Sequence, residues 1–386
     1  MLAALRRLAA GRAARSPATQ AELDFGAACP LLESHERRVA EAARGGAPAT
    51  PEALLAEFEG LEARWRTTSL AEKVAFANDS MTIQLSEMFQ HVADIDAGDV
   101  AAPAELPRLP AAEARASAAF TPSVGPSTHT NPAPTLAFQM KRLHAEASSE
   151  AAIAVRRALT ARHGFSLWLG PSQAPTATAA AGVYLQGRVP PGTVVGLYPG
   201  AAFNAEMLQK AADMGHLGSA RVPRTLVPRL DGCLLDVHAA EAPRNNPYAL
   251  AHHVRHPPPS IYPNVLRLQY DFVAPSDMPD AGLPFPAHLR DYIPNVWGAD
   301  ATAGAQLHGM LEQHIWAKGI VLIALRPLWD EELFVDHALP LTTTSTLPPW
   351  YTPITADRNR RLWPQLPPAP PSPPPASPSP PQPKLA

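Results

Sequence analysis

Cysteine is nearly missing from this chain, with only Cys29 and Cys233 among 386 residues. Two thiols so far apart cannot frame a zinc site by themselves, and they could pair only if the fold brought them together. The scarcity fits a reduced, intracellular compartment better than a disulfide-stapled secreted chain. No run of about 18 or more apolar residues occurs, so no membrane-spanning helix is expected. Charge of one sign is lacking too. The net charge of −3 is too balanced for a chain that grips nucleic acid through a general basic field, so no direct nucleic-acid binding is expected. A phosphate-cradling glycine loop, a serine elbow and paired carboxylates at hydrolase spacing are all absent, which puts a metal-dependent hydrolase far behind other readings.

Proline is what the chain has in excess. Its 46 prolines are about twice the usual share, and many crowd the C-terminus. Residues 364–386 form a proline/serine tract expected to be an extended, disordered tail, or else a ligand for a proline-binding domain. At the other end, residues 1–21 carry Arg6, Arg7, Arg12 and Arg15 beside Leu2, Leu5 and Leu8, and the first acid is Glu22. A basic, acid-free amphipathic start is typical of an organelle transit peptide, so a mitochondrion or plastid is the expected location, with nucleus or cytoplasm the alternative.

Residues 22–97 read as helical. Leu54, Leu55, Phe58 and Leu61 recur at helical spacing behind Thr50-Pro51, a reasonable cap and first-turn proline. Phe76, Met81, Ile83, Leu85 and Phe89 predict a second helix with a packing face. Residues 98–134, rich in alanine and proline, read as a linker. Residues 135–179 lead in with a helix from Thr135 to Arg162, its candidate core Leu136, Met140, Leu143, Ile153, Val155 and Leu159, ended by Gly164. After Phe165 the pattern turns to short apolar pieces broken by glycine and proline. Residues 182–200 read as strand, Pro-Pro-Gly turn and strand; residues 230–237 as a hairpin around Asp231-Gly232; residues 320–325 as a buried strand; and 281–312 as a helical insertion. The fold class is therefore α+β, a helical N-terminal region followed by a β-rich unit.

Four segments become informative in order. They are Gly182-Val183-Tyr184 with Tyr198-Pro199-Gly200; Leu230-Asp231-Gly232; Asn246-Pro247-Tyr248-Ala249 through His256 to Asn264-Val265; and Ile320–Leu325 followed by Glu331-Glu332-Leu333-Phe334-Val335-Asp336. This series resembles a SET domain, and most closely the SET domain-containing protein 9 family, over about residues 135–363. The resemblance implies a β-clip, pseudoknot-like SET domain at 180–340, with residues 341–363 packing on it. It also implies S-adenosylmethionine on one face and a lysine side chain of a protein substrate entering from the other, for methyl transfer to nitrogen.

By that resemblance, Gly182 and Tyr184 lie at the cofactor-approaching strand, and Arg255-His256 stand where Asn-His is usual. His337 holds the place of the tyrosine that orients the substrate amine, with Tyr351 a substitute if the chain folds back. Trp350 would cover the adenine or plug the C-terminal segment against the core. Glu332 would have a structural hydrogen-bonding role, and Arg255 would pair with an acid such as Glu332 or point to solvent. A rival use of His252, His253 and His256 is a zinc site on one helical face, against plain loop histidines. No metal is expected, and no cysteine cluster flanks the domain. Two readings follow: a protein-lysine methyltransferase, or a weak or inactive SET scaffold that binds a protein partner. The departures at Ala180, Arg255 and His337 bear on that choice.

Overall fold

A computed structural model describes residues 17–45, 51–98, 149–174, 181–204, 226–237, 246–258, 261–275, 282–297 and 315–337. It is a mixed α+β protein with a helical N-terminal region. Helices α1 (Pro17–Ala43), α2 (Pro51–Thr67) and α3 (Leu70–Asp96) come first, then α4 (Glu150–His163) leads into the strands. The leader up to residue 16, the linker from residue 99, residues 135–148 of the predicted lead-in helix and the C-terminal segments lie outside the described residues, as do Thr50 and the side chains of Leu54 and Leu55.

Helix α3 starts at Ser69, whose hydroxyl accepts the Glu72 N–H while the Glu72 carboxylate accepts the Ser69 N–H, a capping box that satisfies two orphan donors. Met81, Leu85, Met88, Phe89 and Val92 then share one buried face. Ile83 is 49% exposed: two residues from Met81, it falls on the opposite side of the helix. In α4 the hydroxyl of Ser149 caps Ala152, and Gly164 ends the helix at φ +86° as expected. Val155 faces solvent, and Leu159 carries the contact instead.

Among the described residues the strands form three small sheets. The first runs β1 (Phe165–Pro171), β2 (Ala181–Val189), β10 (Leu328–Glu332); the second β3 (Val194–Leu197), β9 (Ile315–Ala324), β7 (Val265–Val273). The third runs β5 (Leu226–Pro228), β6 (Leu234–Asp236), β4 (Gly200–Phe203), β8 (Asn295–Trp297), with only β4 and β8 parallel. The hairpin around Asp231-Gly232 is present, pairing Leu226 with Asp236 across Gly232 at φ +81°. The run at 320–325 lies in the central strand of its sheet, which explains its unbroken apolar character. Over the described part of the expected helical insertion, residues 287–292 make a short 3-10 helix followed by β8. Pro284, Pro286 and Pro294 bracket that stretch and leave no room for an α-helical ladder. Residues 298–314 lie outside the description.

Helices and sheets share one continuous core, with Phe89 of α3 packed against Phe272 and Phe285. The Pro-Pro-Gly turn between β2 and β3 is where α1 and α3 dock. Arg38 donates to the Pro191 carbonyl (2.8 Å). Gln84 donates to Gly192 O (3.1 Å) and accepts from Val194 N (2.8 Å), so one side chain acts as a strand neighbour for the turn. Gly192 sits at φ +82°, and a Cβ there would overlap the Leu31 carbonyl of α1. Gly192→Ala is therefore expected to cost about 2–4 kcal/mol, by adding left-handed strain to a backbone clash that neither element can relieve alone. Urea unfolding measures this; a loss under about 0.5 kcal/mol, the level of a neutral surface change, would show that the helix does not press on the turn.

Candidate functional site

The sequence-predicted residues gather around the end of β10. Glu332 is opposite Tyr184 in the β2–β10 ladder and only 2% exposed. Its carboxylate accepts from Ser172 Oγ (2.5 Å), Gln173 N (2.7 Å) and the Tyr184 hydroxyl (3.3 Å). Burial still raises its pKa against those bonds and the nearby Arg255 charge. Gly182 makes this packing possible, because a Cβ there would overlap Glu332 Oε1. Tyr184 is also turned inward. Its ring stacks on Trp168 (4.7 Å), its hydroxyl donates to Pro171 O (2.6 Å), and burial together with Glu332 pushes the phenol up to about 12.

Arg255 joins this group to a second one. Its Nε donates to Ala181 O (2.9 Å), and its carbonyl accepts from Val335 N (2.9 Å). Burial lowers its pKa while Glu332 opposes the shift. The closing segment 332–335 is held on its other side by Asn264. That side chain donates to Glu332 O (2.8 Å) and accepts from Phe334 N (2.7 Å), while Asn264 N and Val265 N both donate to Phe334 O. Bridges Arg255–Phe334 and Val265–Val335 are both parallel. The segment thus lies between the two limbs of the 255–265 loop.

Beyond it, His256 is buried, with Nδ1 3.8 Å from Asp336 Oδ1 and its ring 6.0 Å from that of His337. His337 is held at about 3 by burial first, then by Arg267, His256 and Arg255, so its imidazole stays neutral through the physiological range. Arg267 Nη2 donates to His337 O (3.2 Å) and Arg267 also hydrogen-bonds Tyr198, a phenol whose pKa burial raises.

Gly182, Tyr184 and Arg255 therefore converge on Glu332, while His256 faces both Asp336 and the His337 ring. Trp350 and Tyr351 lie outside the described residues. Residues 251–253 form a single 3-10 turn and His256 follows in extended chain, so His252 and His256 share no α-helical face. Among the described residues no group of three or more His, Cys, Asp and Glu is placed to hold a metal ion. Cys29 and Cys233 are buried free thiols. Among the described residues no helix is long and apolar enough to cross a membrane. Asn264, Arg267 and Tyr198 were given no role from the sequence, although a polar residue just ahead of a strand-like run was a signal for Asn264.

Sheet order and site geometry define the class of protein as mixed α+β with a buried carboxylate–arginine–histidine corner. Comparison with protein-family models and with curated proteins finds no match to either.

Proposed function

We propose that the chain is a SET-type protein, most like the SET domain-containing protein 9 family, and an S-adenosylmethionine-dependent methyltransferase acting on a protein lysine. Support for the SET-type fold comes from the closing segment held between both limbs of the 255–265 loop. The observation that carries the activity is the neutral His337 at that segment's end. The burial and the arginine charges that keep this imidazole unprotonated would also drive an entering lysine toward the neutral amine that nucleophilic attack requires.

The donor set suits the cofactor's amino-acid end through Arg255. Its anchored guanidinium carries five donors, one spent on Ala181, and matches an α-carboxylate in charge and geometry. His256 lies next in the chain. Bound there, S-adenosylmethionine would supply an activated methyl group. The chain's own residues would exclude water through the apolar packing of Leu333 and Phe334, and the unprotonated ring nitrogen of His337 would orient the amine by accepting one of its N–H bonds, leaving the lone pair free to attack.

A specific observation favours the second reading, a catalytically inactive scaffold for a protein partner. The Ala181 carbonyl is taken by Arg255, and the open side of Gly182 is covered by Glu332. Calorimetry of S-adenosylmethionine with the full chain separates the two. The methyltransferase reading expects one site of micromolar order, weakened about 10–100-fold in Arg255→Ala, the effect of losing charge-assisted hydrogen bonds. With binding in hand, His337→Ala should lower methyl transfer to protein lysine by about 100-fold or more while leaving cofactor affinity within about threefold. A folded chain that binds no cofactor would leave only the scaffold.

A further inference from the structure

Two aromatic side chains stand out on the surface, Trp329 at 68% and Tyr262 at 66% exposed. The next most exposed large apolar residue among those described is Val39, at 53%. Neither is a stray. Asp330, between Trp329 and Glu331, has φ +45° and accepts the Gly187 N–H (2.7 Å), which holds a bulge in β10 where its register against β2 shifts. Such a bulge re-aims a side chain. Trp329 is turned outward with the Arg188 guanidinium 5.8 Å from its ring. The Glu331 carboxylate then ties both aromatic-bearing segments together. It accepts from Arg326 Nη1 (2.7 Å) and Nη2 (2.5 Å), from Trp329 N (3.3 Å), and from the side chain of Asn264 (3.2 Å), two residues beyond Tyr262. Strand β10 is an edge strand among the described residues.

We propose that this surface docks the chain's own proline tract, residues 367–383. That stretch holds 11 prolines in 17 residues and no acid. Proline-rich chain is preorganised in the extended left-handed helix and binds surfaces lined by aromatic rings, because little entropy remains to be lost. The 29 residues between His337 and Pro367 can span up to roughly 100 Å, ample for a return to a strand that ends five residues before His337. Tethering gives an effective concentration of up to about millimolar, so contacts too weak to hold a free peptide suffice in cis.

The test uses the full chain with fluorotryptophan and a spin label on Ser379→Cys, to which buried Cys29 and Cys233 offer no competition. Loss of the Trp329 fluorine resonance with the label oxidised, and its return on reduction, is the expected result. The combined substitutions Pro370→Ser, Pro371→Ser, Pro373→Ser, Pro374→Ser and Pro375→Ser should abolish that loss. A Trp329 resonance indifferent to the label's state overturns the proposal and leaves the tract to a proline-binding partner in trans. Loss seen only when separately labelled and fluorinated chains are mixed overturns it in favour of a second copy.

Discussion

Replacing Arg229 with methionine is expected to cost about 2–4 kcal/mol, because the buried guanidinium's donors are taken from two partly exposed carboxylates and two backbone carbonyls at once. The Arg229 side chain is almost wholly buried and answers four acceptors. Its Nη2 reaches Asp271 (2.5 Å) and Asp231 (3.1 Å), and its Nη1 donates to the carbonyls of Tyr270 (3.1 Å) and Gly319. Lys318 adds a second cation on Asp231 (3.1 Å) and rests over the Trp297 ring (4.7 Å). Burial alone would raise the Asp231 pKa, yet Arg229 and then Lys318 pull it down to about 2. The guanidinium thereby clamps the β5–β6 hairpin onto β7 and β9. Methionine keeps the apolar stem and removes every donor, so both acids lose their fork and two backbone carbonyls lose a partner. Urea unfolding should show a lower midpoint with an unchanged slope. Arg229→Lys, which keeps charge without the fork, should fall between. A methionine variant within about 1 kcal/mol of the parent would mean that water reaches the acids, and that the network holds little of the hairpin in place.

That clamp also shows where the sequence was legible and where it was not. Helix α3 could be read from Met81, Leu85 and Phe89, because a core face repeats with the helix itself. Strand β9 could be read from Ile320–Leu325, and the α4 stop from Gly164, for equally local reasons. Strand β7 misleads in an instructive way. Arg267, Gln269 and Asp271 alternate with Leu266, Leu268, Tyr270 and Phe272, the pattern of a strand with a solvated face. Instead that face receives other chain segments. Asp271 meets Arg229, Gln269 Oε1 accepts from Leu230 N (3.2 Å), and Arg267 donates to His337 O (3.2 Å). Alternation reports which residues are polar; it does not report whether water or another strand answers them. The site was half legible for a related reason. Gly182, Arg255 and His337 could be singled out along the chain, but their meeting depends on Glu332 lying under Gly182 and on Asn264 holding the closing segment. Both contacts join residues far apart in the chain (Asn264 to Glu332 is 68 positions, Gly182 to Glu332 is 150), beyond any local period.

Acid should unfold this protein early, through histidines rather than carboxylates. Burial, and in each case a neighbouring cation or imidazole, holds His35 and His163 at about 4 and His253 and His337 at about 3. His163 is also locked in place. Its Nδ1 lies 3.1 Å from Nδ1 of His91, a bond that needs one ring to lack its proton, and its ring packs on Phe165 and Tyr248. An unfolded histidine titrates near 6.5. Above that pH both states are neutral and these groups leave stability unchanged. Between about 6.5 and 4 the unfolded chain takes up protons that the folded one refuses, so stability falls as pH falls, and for His253 and His337 the loss continues to about 3. Each group contributes at most about 1.4 kcal/mol per pH unit, less where its ring edge reaches solvent. Four such groups acting together can exhaust an ordinary domain's stability near pH 5, before most carboxylates titrate. Asp231, at about 2 in the folded state, adds its own loss only below its unfolded value near 3.9. Urea midpoints taken from pH 7.5 to 4.5 should be level at first and then drop steeply below 6.5. His163→Gln should flatten that descent by roughly one proton's slope, because the amide can keep a hydrogen bond to His91 without binding a proton. Midpoints that stayed level down to pH 5 would mean that the histidines open to water well before the fold does.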